Sequence, residues 1–146
     1  MLFNYNEKKM KKILFSITTL ILLTLNAQAI NQKYVIQIST DDIRTQKIVL
    51  NNAINLQKYY GIDNVDVEIV AYGPGLSILT QSNKNSDRVE SMIMNNITFS
   101  ACRNTMKAIK RKKGKFPTLV EGVNIVTSGV VRIGDLQQQD YSYIRP

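Results

Sequence analysis

The order of β-rich runs and amphipathic stretches along the chain restricts the fold more than any other feature. KYVIQIST (33–40) is a strand-forming run that ends in Ser-Thr-Asp-Asp, residues that start helices. From Asp41 to Tyr60 the apolar residues Ile43, Ile48, Val49, Ala53, Ile54 and Leu56 are spaced mostly three to five apart, and Gly61 follows. That spacing predicts an amphipathic helix stopped by glycine. VDVEIVAYG (65–73) is a second strand, ended by GPG at 73–75, which is expected to be a tight turn. A short helical stretch around Leu76 to Leu79 and the polar loop TQSNKNSD lead to a helix near Arg88 to Asn95. NITFSAC (96–102) is the third strand, with Cys102 at its C-terminal end; a helix begins at about Arg103 and carries Met106 and Ile109 on one side. After GKFP come a fourth strand, GVNIVTSG (122–129), a fourth helix, VVRIGDLQQQD (130–140), with Gly134 a candidate for strain inside it, and a fifth strand, YSYIRP (141–146). Each segment between strands is long enough for a crossover helix. The expectation is an α/β fold of three layers, α/β/α, around a five-stranded, mainly parallel sheet, in the Rossmann and flavodoxin-like class.

The first 29 residues read differently. Lys8, Lys9, Lys11 and Lys12 precede the apolar run ILFSITTLILLTL, and AQA at 27–29 supplies small residues for cleavage. The run is shorter than the roughly 20 residues of a membrane span, so a cleaved secretory signal is expected over 1–29 and a single domain over 30–146. An uncleaved N-terminal anchor is the alternative. MKKILFSITTL makes Met10 as good a start as Met1. The expected location is the periplasm, with no stable membrane span left after cleavage.

Charge is local. The chain carries 19 Lys and Arg against 11 Asp and Glu. With the leader removed the balance is 15 to 10, and six of those cations lie between Lys107 and Lys115. Cations in a last helical turn complement the dipole; a docking or anionic-surface role is the other reading. No nucleic-acid motif accompanies the run, and nucleic acid is not an expected partner.

A single cysteine, Cys102, leaves no intrachain disulfide, so the domain stands on its hydrophobic core. The thiol is then buried and inert, paired with another chain, or kept free for chemistry. Ligands of open parallel sheets bind at the carboxyl ends of the strands. That edge gathers Ser39 to Asp42, Tyr72 to Gly75, Cys102 to Asn104, and Thr127 to Gly129. A thiol at a helix start, beside Arg103, is favoured as thiolate. Histidine is absent, which removes the commonest general base. No CxxC or metal-ligand spacing occurs, so neither a metal nor a cofactor is expected. Asp41 and Asp42 read as capping groups, GPG lacks a phosphate-loop pattern, and the Asn-Ile-Thr sequon at 96–98 falls in a strand.

TFSACRNTM, VEIVAYGPGLSIL and the tail GVNIVTSGVVRIGDLQQQDYSYIRP together resemble the DsrE/DsrF-like family, especially its exported single-domain members, over nearly all of residues 33–146. The resemblance implies a three-layer domain assembled into trimers or hexamers, and a persulfide-carrying cysteine at the position of Cys102. It also matches Asp41 and Asn55 to the first helix and Gly73 to the turn after the second strand. Two positions depart from the pattern: Tyr72, where histidine often stands, and Asp140, where glycine commonly precedes the aromatic pair.

The expected function is a periplasmic sulfur carrier with Cys102 as persulfide acceptor, a sulfur relay rather than an enzyme turning over a small substrate. Arg103, Asn104, Asp41, Tyr72, Gly73 and Thr127 are candidate supporting residues. Expected partners are further copies of the chain and a donor or acceptor protein or small thiol, since no second cysteine resolves a persulfide internally. The alternatives are an oligomeric module binding a small anion and a structural protein in which Cys102 is only packed.

Overall fold

A computed structural model describes residues 31–146; the signal, its cleavage site and the choice between Met1 and Met10 lie outside these residues. Five strands form one parallel sheet: β1 (Gln32–Ile38), β2 (Val65–Ala71), β3 (Ile97–Cys102), β4 (Asn124–Val126) and β5 (Ser142–Ile144). Their spatial order is β4-β3-β2-β1-β5. The helices are α1 (Ile43–Tyr60), α2 (Ser86–Met94), α3 (Arg103–Lys113) and α4 (Gly129–Gln137).

The order explains where the helices lie. The chain steps β1 to β2 to β3 to β4 in one direction, and right-handed crossovers place α1, α2 and α3 on one face. The last crossover runs back across the whole sheet to β5, and the same handedness puts α4 on the other face. The side chains agree. Ile36, Ile38, Val67, Ile69 and Phe99 pack with Val49 and Leu50 of α1, Val89 and Met92 of α2, and Met106 of α3. Val35 and Val70 pack beneath Ile133 and Leu136 of α4. The three expected layers are therefore unequal, with a large core on one side and a small one on the other.

Among the described residues the thinly covered face carries the buried polar groups of the sheet, Gln37, Glu68 and Ser100, whereas Gln46 of α1 is buried on the other face and donates to Ser77 Oγ at 3.0 Å. Glu68 lies in β2, its side chain only 4 % exposed, and accepts from Ser100 Oγ at 2.6 Å. Arg132 of α4 completes the cluster as a fork, Nε to Oε1 at 2.8 Å and Nη2 to Oε2 at 2.7 Å. These bonds satisfy a carboxylate that burial alone would penalise. Nearby, the Tyr143 hydroxyl donates to Gln37 Oε1, and Gln37 Nε2 donates to Ser39 Oγ at 3.2 Å.

Several boundaries differ from expectation. GPG is no tight turn: it opens a 3₁₀ segment, Gly73–Leu79, whose Leu76, Ile78 and Leu79 are buried in the large core. β4 is three residues rather than eight because it is an edge strand that pairs only with Ser100, Ala101 and Cys102. β5 is equally short and pairs only with β1. Gly134 is not strained; it has no positive φ, and a Cβ there would meet nothing within 4 Å. Asp42, rather than Asp41, caps α1, accepting from the Thr45 N–H at 2.8 Å and from its hydroxyl at 2.9 Å. Among the described residues no helix is long and apolar enough to cross a membrane.

Candidate functional site

The two faces meet at the C-terminal ends of β3 and β4. The connection after β3 leads to α3 on one face, and the connection after β4 leads to α4 on the other. Such a topological switch point opens a crevice between neighbouring strands, with a helix N-terminus on each side. Cys102 is the last residue of β3 and the N-cap of α3.

The residue is 5 % exposed, yet it belongs to neither apolar cluster. Its thiol makes no capping hydrogen bond. Burial pushes the thiol up, but the backbone N–H groups of Thr105 and Gly129, the Thr105 hydroxyl and the Asn104 N–H together outweigh it and bring Cys102 below its ordinary value. Thr105 is oriented for this role. Its Oγ1 accepts from the Gly73 N–H at 2.9 Å, which leaves the hydroxyl proton available to the sulfur.

Gly129, the first residue of α4, reaches the site because it lacks a side chain. A Cβ there would lie 2.8 Å from Tyr72 Cδ1, closer than van der Waals contact permits. Tyr72 covers this corner. Burial foremost, then the charges of Tyr143 and Cys102, hold its phenol above the ordinary value, with Arg145 acting in the opposite sense. It therefore stays a protonated donor through the physiological range and is no general base.

The expected residues fall into two groups. Cys102, Asn104, Gly73 and Tyr72 gather at the switch point, Asn104 through its backbone and Gly73 through Thr105. Arg103 is exposed on the first turn of α3, and its guanidinium is not among the groups that chiefly act on the thiol. Asp41 and Thr127 are exposed in the loops before α1 and α4. Asn55 is exposed in the second half of α1, which runs back toward the N-terminal edge of the sheet. Thr105 and Gly129 were not singled out by sequence reasoning as donors to the sulfur. Thr105 lies three residues after a strand-terminal cysteine, a visible signal; Gly129 is brought in only by the topology.

The basic run ends α3 as expected, with Lys110 to Lys113 in the last turn and Gly114 following. It also lines a groove of about 790 Å³ between α3 and the 3₁₀ segment, which Gly73 and Thr105 border too. Among the described residues no group of three or more His, Cys, Asp or Glu is placed to hold a metal ion.

Comparison with known proteins gives one family. The model of the DsrE/DsrF-like family matches residues 32–146. A protein of unknown function, MTH1491 from Methanobacterium thermoautotrophicum, is 32 % identical and superposes with a TM-score of 0.72 over 79 % of this chain and 99 % of its own. The ychN protein of E. coli shares the fold at 15 % identity and a TM-score of 0.63, covering 80 % of this chain and 99 % of its own. A conserved protein of unknown function, BT1422 from Bacteroides thetaiotaomicron, does so at 16 % and 0.59, covering 83 % and 100 %. No curated protein matches in sequence.

Proposed function

This chain belongs to the DsrE/DsrF-like family, which is associated with sulfur relay, and on that premise we propose that it is a periplasmic sulfur carrier whose Cys102 thiolate takes up sulfur as a persulfide. The observation that carries this reading is the position of Cys102 at the N-cap of α3 at the switch point, where backbone N–H groups of α3 and of Gly129 draw its thiol below the ordinary value. Donors arranged in this way stabilise an anion, and the thiolate is the form of cysteine that attacks sulfur.

The transfer step balances without an oxidant. The Cys102 thiolate attacks the outer sulfur of a donor persulfide, R–S–SH. A Sγ–S bond forms, the donor S–S bond breaks, and R–S⁻ leaves with the bonding electron pair. The proton stays on the transferred sulfur, which becomes the terminal atom of Cys102–S–SH. Loss of that proton to solvent gives the persulfide anion, which the same N–H groups would stabilise as they do the thiolate. Discharge is the same step in reverse toward an acceptor thiol, which must come from another molecule because the chain has one cysteine.

The near burial of Cys102 favours a second reading, in which the thiol is only packed. The two are separated by mass spectrometry of the intact protein after incubation with a small persulfide donor. The carrier gains the mass of one sulfur atom, the gain is reversed by thiols, and Cys102→Ser shows none. An unmodified wild-type protein under conditions that modify a free cysteine peptide would leave the packed reading standing.

We further propose a homo-oligomer, a trimer or hexamer. Val130 and Val131, 65 % and 58 % exposed at the start of α4, and Ile125, 47 % exposed on the edge strand β4, support it.

A further inference from the structure

The groove beside α3 has a use that the chemistry at Cys102 does not supply. Leu76, Ile109, Phe116 and Pro117 give it an apolar lining. Lys112, Lys113 and Lys115 stand along it, all exposed, and no Asp or Glu lines it. Among the described residues none of the three lysines forms an ion pair; the one salt bridge found there is Arg132 to Glu68. Three like charges are thus held together on one concave surface with no ion-pair partner among the described residues. Lys110 contributes differently, its ammonium lying 4.6 Å from the ring centroid of Phe116 and fixing that ring at the groove.

We propose that this groove docks an acidic peptide segment of a partner protein, with carboxylates against Lys112, Lys113 and Lys115 and apolar side chains on the Phe116 side. A small metabolite is disfavoured because small-molecule sites orient their ligand with a few buried polar groups, whereas these cations are all exposed. A flat anionic surface is disfavoured because the lysines line a concavity. The stretch of α3 that borders the groove, from Thr105 to Lys113, is about 12 Å long at 1.5 Å per residue, which matches three or four residues of extended peptide. One end of the groove is Thr105 and Gly73, the pair joined beside the thiol. A segment seated there arrives next to the switch point. The docking needs no sulfur transfer, and its test involves none, so it stands or falls apart from the carrier reading.

The test is fluorescence anisotropy of a labelled peptide of alternating glutamate and leucine, titrated with the full-length protein at low and moderate salt. Replacing Lys112, Lys113 and Lys115 together by glutamate is expected to weaken binding at least about tenfold, from several exposed charge contacts acting together. Lys107→Glu with Arg111→Glu reverses charge on the same helix outside the groove and is expected to change affinity less than about threefold. Phe116→Ala, which leaves the charge unaltered, is expected to weaken binding as well. Equal losses from the two charge-reversed sets, or an unchanged Phe116→Ala, would overturn the proposal in favour of unspecific attraction. Competition by pyrophosphate as effective as that by unlabelled peptide would overturn it in favour of a small-anion site, and absence of peptide binding at low salt would overturn it outright.

Discussion

Thr105 is the side chain on which the character of Cys102 most depends, because it contributes both a backbone N–H and a hydroxyl to the sulfur. Thr105→Val keeps the shape and the backbone donor and removes the hydroxyl. The pH profile of iodoacetamide labelling should then move to higher pH, with Cys102→Ser as the unlabelled control. Linkage fixes the sign for stability. The folded-state value of Cys102 lies below the unfolded one, so ionisation favours the native state. The stability advantage of wild type over Cys102→Ser should be fully present above the unfolded value and lost as pH falls through the folded one, measured by urea unfolding across that window. The place of Cys102 at a strand end was legible because an apolar run stops there and Arg-Asn-Thr-Met begins a helix. Its second set of donors was not, since Gly129 is 27 positions further along and sequence spacing says nothing about which strands become neighbours. Asp140 illustrates the opposite case. It has φ 67°, a left-handed conformation that favours glycine and that Asp tolerates better than most residues, in keeping with the glycine that the family resemblance implies here.

At the scale of elements, α4 is held to the sheet by a small apolar cluster and by the Glu68–Arg132–Ser100 bonds. Arg132→Ala strands a carboxylate inside the small face. It should cost roughly 2–4 kcal/mol by urea denaturation, toward the lower end for buried pairs because Arg132 is 34 % exposed. Adding Glu68→Gln to that variant should recover part of the loss, because the neutral amide needs no counter-charge. Since α4 brings Gly129 to the sulfur, Arg132→Ala should also slow thiol labelling at neutral pH. None of this is visible in VDVEIVA, which reads only as a strand and does not tell what Glu68 meets across the sheet. The same limit applies to the basic run. Distance along α3 separates its lysines from Cys102, but the 3₁₀ segment lies alongside and borders one groove that runs from the lysines to Thr105 and Gly73.

For the whole molecule, the parallel sheet was legible because every gap between strands was long enough for a helix, and handedness then did the rest. The uneven division of the core was not legible, since it follows from a strand order that periodicity does not encode. Among the described residues that division leaves α4 as the one helix on its face, with Val130 and Val131 exposed. Val131→Glu with Ile125→Lys should convert the proposed oligomer to a monomer in light scattering, with the circular dichroism of the domain unchanged. The position of β4 and α4 between β3 and the last strand has one more consequence, and it concerns timing. The sulfur lies at residue 102, whereas the Gly129 donor belongs to the final fifth of the chain and reaches it only once β4 has paired with β3. Until then Cys102 has only the α3 donors, Thr105 and Asn104. On the proposed export route, a chain that emerges unfolded from a translocation pore would cross with its nucleophile subdued and gain the α4 donor only as β4 and α4 dock.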